Sequence, residues 1–236
     1  PGAGTAGPPM QAAIAAGKAR RRGCTPPPPP SMAASKLAGP KGLALLRAGI
    51  RGVRATDALR GGRLPVMLHL AHQGDGKSAE TFRRVYDGFE AAKLDYDVIG
   101  LSWYPYHHDP YDALRDNLRL LSDRYRKPLV VVETAYGHQL DNPGGGGAVF
   151  NEEGARRSGY PATPEGQARM LRDVVRAVAA VPQGLGVFYW EPAWLAVPGA
   201  GWRTGDGNGW ANQTLFDDRG RALPSLTAMR DAAPCR

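Results

Sequence analysis

The 236-residue sequence contains few cysteines, has no long apolar run and has no acidic residue before Asp57. Two cysteines, Cys24 and Cys235, exclude a disulfide-rich scaffold and a cysteine-based zinc site. No run of about 18 uncharged apolar residues occurs, so we expect neither a membrane-spanning helix nor a membrane partner. Apolar residues still make up 42 % of the chain, which is enough to form a buried core.

Residues 1–39 are a low-complexity segment rich in Ala, Gly, Pro and Arg, and they include the run Pro26–Pro30. Burial of so few large apolar side chains cannot offset the entropy of ordering, so we predict disorder or an out-of-frame translation here. Much of the net charge of +8 falls in this segment, and acids and bases alternate after it. We therefore expect no nucleic-acid partner, although a protein whose basic segment binds polyanions remains a lower-ranked alternative.

From Pro40 onward, helical patterns alternate with short apolar runs. Apolar residues three and four positions apart predict helices with faces at Leu43–Val53, Phe82–Ala92, Leu114–Tyr125, Met170–Val178 and, last, Leu223–Ala233. Strand-like runs occur at Leu64–Leu70, Asp97–Ser102, Pro128–Glu133 and Leu185–Trp190. Repeated helix-then-strand units predict an α/β fold with a parallel sheet. A (β/α)₈ barrel fits better than a doubly wound sheet, because no Gly-rich phosphate loop follows the first strand.

The carboxyl ends of the predicted strands carry polar and aromatic residues, and parallel α/β folds bind ligands at that end. Glu133 is the most informative of these residues, because it directly follows the apolar run Leu129–Val132. A carboxylate at that place is either catalytic or a structural group paired with an arginine or backbone N–H.

Four of the five tryptophans lie between Trp190 and Trp210, in a Gly-rich stretch. The flat apolar face of an indole can cover the C–H face of a sugar ring, although a single buried Trp is more often a core residue. Carboxylate and aromatic groups together favour glycoside hydrolysis, in which one carboxylate attacks the anomeric carbon and a second protonates the leaving oxygen.

Five segments occur in one order along the chain: Val66–Leu70, Asp95–Pro105, Val130–Tyr136, Gly186–Trp194 and Asn212–Asp217. Together they resemble glycoside hydrolase family 53, the arabinogalactan endo-β-1,4-galactanases. The resemblance implies a retaining (β/α)₈ barrel, a galactan or arabinogalactan substrate and a secreted protein, although no signal segment is recognised after Pro1. It also implies that Glu133 is the nucleophile. The other expected substrate-binding residues are His69, Trp103, Tyr104, Tyr136, Trp190, Glu191 and Trp194.

The resemblance also implies an acid/base Glu, preceded by Asn, before the helix that begins near Gly42. This chain has no Glu there, and we interpret the dipeptide Asn151-Glu152 as a coincidental match because it follows no strand. We therefore expect residues 40–236 to be the C-terminal part of a glycosidase barrel, strands 5 to 8, that is inactive and poorly soluble alone. A non-catalytic carbohydrate-binding remnant is the alternative.

We predict no metal and no cofactor. Some bacterial relatives are expected to hold Ca²⁺ in the loop after strand 7, where this chain has His138, Asp141 and Asn142 before a glycine run. Calcium takes about six to eight oxygen ligands, so this set is too small, and a bound calcium is the less favoured alternative. We predict that the adjacent His107 and His108 are solvated loop residues.

Overall fold

The computed structural model describes residues 36–72 and 74–232. Most of the segment predicted to be disordered, residues 1–35, and both cysteines therefore lie outside the described residues. The α-helices are α1 Pro40–Arg60, α2 Ser78–Ala91, α3 Tyr111–Tyr125, α4 Glu152–Ser158, α5 Pro164–Ala179 and α6 Ser225–Ala232. The strands are β1 Met67–Ala71, β2 Val98–Ser102, β3 Leu129–Thr134 and β4 Gly184–Tyr189, and a 3₁₀ helix spans Ala211–Gln213.

The four strands form one parallel sheet in the order β1-β2-β3-β4. A helix precedes each strand. Strands that follow one another in the chain are also adjacent in the sheet. The α/β class predicted from the alternating pattern is confirmed. Every residue of β2 is buried, as expected for a central strand covered on both faces.

The core lies between the sheet and the apolar faces of α2, α3 and α5, which are the faces that the periodicity predicted. Each face is built from fully or almost fully buried side chains: Phe82, Val85, Phe89, Leu114, Leu118, Leu121, Met170, Val174 and Val178. Burial of these faces holds the strands in register and so fixes the positions of the residues at their carboxyl ends. None of the described helices combines the length and apolarity needed to cross a bilayer.

One helix was not predicted. Asn151 caps α4 by accepting a hydrogen bond from the N–H of Gly154 through its side chain, at 3.0 Å. A helix of seven residues is too short to show an amphipathic period, so only its cap could have indicated it. The dipeptide Asn151-Glu152 is therefore the start of a helix in the connection between β3 and β4.

Candidate active site

The carboxyl ends of the four strands bring the predicted site together. In the sheet register Ala71 pairs with Ser102, Ser102 with Glu133 and Thr134 with Tyr189. The register shifts beside Ser102 and again along the end of β3. Such bulges bend a strand and re-aim its side chains, and they are common next to active sites.

Glu133 lies half-buried at the end of β3. Its Oε2 atom accepts a hydrogen bond from the Tyr104 hydroxyl at 3.1 Å. Tyr104 is only 8 % exposed. Burial raises the pKa of Tyr104, and the charge of Glu133 raises it further. The phenol therefore stays protonated and remains a hydrogen-bond donor to the carboxylate.

His69 projects from β1 and lies half-buried, with its Nε2 atom 2.6 Å from the Ser102 hydroxyl oxygen. Burial lowers the pKa of His69, and the charge of Glu133 acts in the opposite direction. Sequence reasoning did not select Ser102 as a site residue, because one serine in an apolar strand carries no pattern. The signal that could have identified Ser102 is the predicted pairing of the strands that carry His69 and Ser102, because this pairing places the two residues near each other.

Several aromatic residues follow β4 in the chain. The N–H of Trp190 donates to the carbonyl of Thr134 at 2.8 Å, which sets this residue beside the one that follows Glu133. Glu191 has a left-handed backbone with φ of 51°, an uncommon conformation for a non-glycine residue that often occurs at functional sites. Trp194 contacts the exposed Trp202 edge to face, with ring centroids 4.8 Å apart.

Trp210 lies near the carboxylate, because its ring centroid is 5.9 Å from that of Tyr104, which donates to Glu133. Sequence reasoning grouped it with the other tryptophans and did not name it as a site residue.

Two predicted substrate contacts need correction. Trp103 is fully buried and donates through Nε1 to the carbonyl of Asp109 at 2.9 Å. Tyr136 is fully buried as well, and its hydroxyl bonds to the Ser158 side chain and the Tyr160 carbonyl. Both side chains are enclosed by protein in this structure, so neither has surface free to contact a substrate. Aromatic residues occur at strand ends both as sugar-binding groups and as core residues. Sequence alone does not distinguish the two.

Two predictions about histidines and metal can also be compared with the geometry. His108 is not a solvated loop residue, because it is half-buried and its Nδ1 atom accepts a hydrogen bond from the N–H of Tyr104 at 3.0 Å. The described residues contain no group of three or more His, Cys, Asp or Glu that could hold a metal ion. Near the expected calcium loop, the Asn142 amide donates to the carbonyls of Gly145 and Asn208, and Asp141 is exposed.

Comparison with known proteins identifies similar sequences. Residues 38–229 match the family described as Glycosyl hydrolase family 53. A protein of Niallia circulans, named only as an uncharacterized protein in the bgaB 5′ region, is 44 % identical over 188 residues, which are 79 % of this chain and 49 % of that protein. The endo-beta-1,4-galactanase of Bacillus subtilis is 32 % identical over 218 residues, covering 80 % of this chain and 49 % of the relative. The chain thus spans about half the length of these curated relatives.

Comparison of structures gives the same result. The GH53 catalytic domain of Ignisphaera aggregans superposes with a TM-score of 0.76 at 36 % identity, covering 86 % of this chain and 54 % of that chain. The four-stranded sheet therefore corresponds to part of a (β/α)₈ barrel, as predicted. That these strands are strands 5 to 8 remains a prediction.

Proposed function

Because this chain belongs to glycosyl hydrolase family 53, we propose that it acts on β-1,4-galactan or arabinogalactan by a retaining double displacement with Glu133 as the nucleophile. One observation carries the assignment of the nucleophile: the Glu133 carboxylate lies at the carboxyl end of β3 and accepts the Tyr104 hydroxyl at 3.1 Å. A carboxylate oriented through one oxygen can present its other oxygen to an anomeric carbon. The name of the Bacillus subtilis relative, endo-beta-1,4-galactanase, supports the choice of polysaccharide.

The first chemical step forms a bond between a Glu133 oxygen and the anomeric carbon, while the bond from that carbon to the leaving oxygen breaks. The leaving oxygen then needs a proton, which a second carboxyl group supplies in retaining enzymes. No acidic residue precedes Asp57, so this sequence does not provide that group where the family resemblance puts it. General acid catalysis contributes about 10²- to 10⁴-fold. We therefore expect this chain alone to show no detectable cleavage of galactan.

The sugar cleft is proposed to include His69, Trp190, Glu191 and Trp194, which lie at or after the carboxyl ends of β1 and β4. The neutral His69 ring offers hydrogen bonds to sugar hydroxyls, and the indoles offer flat apolar faces. We propose that the site of action is extracellular, because a cell-wall polysaccharide is too large to cross a membrane.

A mechanism-based label tests the nucleophile without requiring the acid. A dinitrophenyl β-galactoside with fluorine next to the anomeric carbon releases a phenolate that needs no proton, and the fluorine slows hydrolysis of the glycosyl-enzyme. We expect intact-mass spectrometry to show one added fluorogalactosyl group per chain. Peptide mapping should locate it on Glu133.

Two variants control this experiment. Glu133→Gln should not be labelled, whereas Glu152→Gln should be labelled like the unmodified chain, because Glu152 lies in the first turn of α4. Labelling at any other carboxylate, or none in a chain shown to be folded by circular dichroism, would contradict the proposal.

A second candidate function is binding of galactan without turnover, and the absence of an acidic residue before Asp57 favours it. Calorimetry with a galacto-oligosaccharide separates the two functions. Binding that Trp190→Ala weakens, in a chain that the activated reagent does not label, would support a carbohydrate-binding protein and reject the proposed hydrolase.

A further inference from the structure

A tight turn follows β2 and carries Tyr104 into the site. The N–H groups of His107 and His108 both donate to the Tyr104 carbonyl, at 3.0 and 2.9 Å. The Nδ1 atom of His108 accepts the Tyr104 N–H at 3.0 Å, and the two rings lie nearly perpendicular with centroids 5.6 Å apart. Both backbone polar groups of Tyr104 are thus satisfied within this one turn.

The sheet does not supply that N–H group with its partner. The preceding residue, Trp103, donates its own N–H to the carbonyl of Glu133 at 2.9 Å, and β2 ends at Ser102. Tyr104 is almost completely buried, so loss of the histidine acceptor would leave a buried donor without the partner it has here. Such a donor is unfavourable enough to move the backbone toward another acceptor.

The histidine can serve as an acceptor over a wide pH range. Acceptance at Nδ1 requires the neutral tautomer with its proton on Nε2. Burial lowers the pKa of His108 to about 3, and the nearby rings of His72 and His107 act in the same direction. The ring is therefore neutral at pH 7, well above its pKa.

We propose that His108 is a positioning residue for the nucleophile: it fixes the Tyr104 backbone so that the Tyr104 hydroxyl remains on Oε2 of Glu133. The inference rests on the proposed function, because it assumes that Glu133 attacks the sugar. His108 itself does not touch the carboxylate in this scheme. It acts only through Tyr104, and this makes the proposal testable by a double-mutant cycle.

The experiment measures the rate at which the dinitrophenyl fluorogalactoside labels Glu133 in the full chain. We expect Tyr104→Phe and His108→Ala each to slow labelling by roughly tenfold, the effect of one hydrogen bond to a charged or buried group. His108→Ala should cause no further slowing in a Tyr104→Phe background. His107→Ala is the matched control, because the exposed His107 ring contacts the Tyr106 ring edge to face, so its loss should leave the rate unchanged.

Conservative variants keep the test decisive if His108→Ala does not fold. The amide oxygen of His108→Asn lies about where Nδ1 lies and should restore the rate, whereas His108→Gln places its oxygen farther out and should not. An unchanged rate in folded His108→Ala, additive slowing in the double variant, or equal rates for the Asn and Gln variants would overturn the inference. If the unmodified chain is not labelled at all, the proposed function fails instead.

Discussion

At the scale of single residues, the buried His72 links the stability of the fold to pH. His72 directly follows β1, is 2 % exposed and accepts a hydrogen bond from the Asn117 amide at 3.0 Å through Nε2. Burial lowers the pKa of His72 to about 4. An unfolded chain would take up a proton near pH 6.5, well before the folded chain does.

The resulting prediction concerns stability against pH. Since the folded pKa lies below the unfolded one, the stability associated with a neutral His72 is complete above about pH 6.5 and is lost as the pH falls toward 4. The loss should be on the order of 3 kcal/mol. Urea unfolding at pH 7 and pH 4.5 measures it. His72→Gln keeps an acceptor for Asn117 and does not titrate, so it should lose less stability between these pH values than the unmodified chain.

The other buried histidines also reduce stability as the pH falls. The difference in pH dependence between His72→Gln and the unmodified chain is therefore more informative than the pH dependence of either chain alone. Burial also lowers the pKa of His69, His108 and His138. Equal pH dependence in His72→Gln and the unmodified chain would show that His72 is not responsible.

Residue types predicted the site only in part. Glu133 was singled out because it follows an apolar strand run, and Tyr104 was expected from the family resemblance; the structure joins them by a hydrogen bond. Trp103 and Tyr136 were expected to contact the substrate but are fully buried, since residue type alone does not tell a core aromatic from an exposed one. His108 could not be recognised, because its contact is with a backbone N–H of a turn and no pattern marks it.

At the scale of elements, a cluster of charges attaches α1 to the amino ends of the strands. Arg54 donates to Asp95 at 2.5 Å, to Asp57 and Asp97 at 3.1 Å, and to the carbonyl of Leu64 at 2.7 Å. The hydrogen bond from Arg54 lowers the pKa of Asp95. One guanidinium thus connects the last turns of α1, the segment before β1 and the segment before β2.

We predict that Arg54→Ala destabilises the fold, because it removes hydrogen bonds to the segments that precede β1 and β2. The thermal midpoint should fall by roughly a few degrees more than in Arg51→Ala, an exposed arginine of the same helix. The difference should shrink in high salt, since part of the effect is electrostatic. Calorimetry of both variants at low and high salt checks it. Equal midpoints would mean that the network contributes nothing measurable.

Elements were predicted better than their contacts. The spacing of Phe82, Val85 and Phe89 predicts the buried face of α2, and the structure confirms it, because a period of 3.6 residues is a direct consequence of helix geometry. The Arg54 cluster joins residues more than forty positions apart, and interleaved charges in a sequence do not reveal such pairings.

At the scale of the whole molecule, β4 presents one open face and, within the described sheet, has a partner on one side only. Val187 and Tyr189 pack toward the helices, so Phe188 lies on the opposite face by the alternation of a strand, where it is 63 % exposed. Nothing lies within 4 Å of the place where a Cβ atom on Gly186 would be. An exposed aromatic beside an unpaired strand edge favours association with another chain.

We therefore predict that the 236-residue chain self-associates and that Phe188→Lys reduces this, because a charge on the open face opposes the burial that drives association. Sedimentation velocity over a range of concentrations should show a lower mean mass for Phe188→Lys than for the unmodified chain. Leu59→Lys, at an exposed apolar residue of α1, the helix before the strand at the other end of the sheet, should leave the mass distribution unchanged. If the unmodified chain is monomeric throughout, or both variants lower the mass equally, the open face of β4 does not drive association.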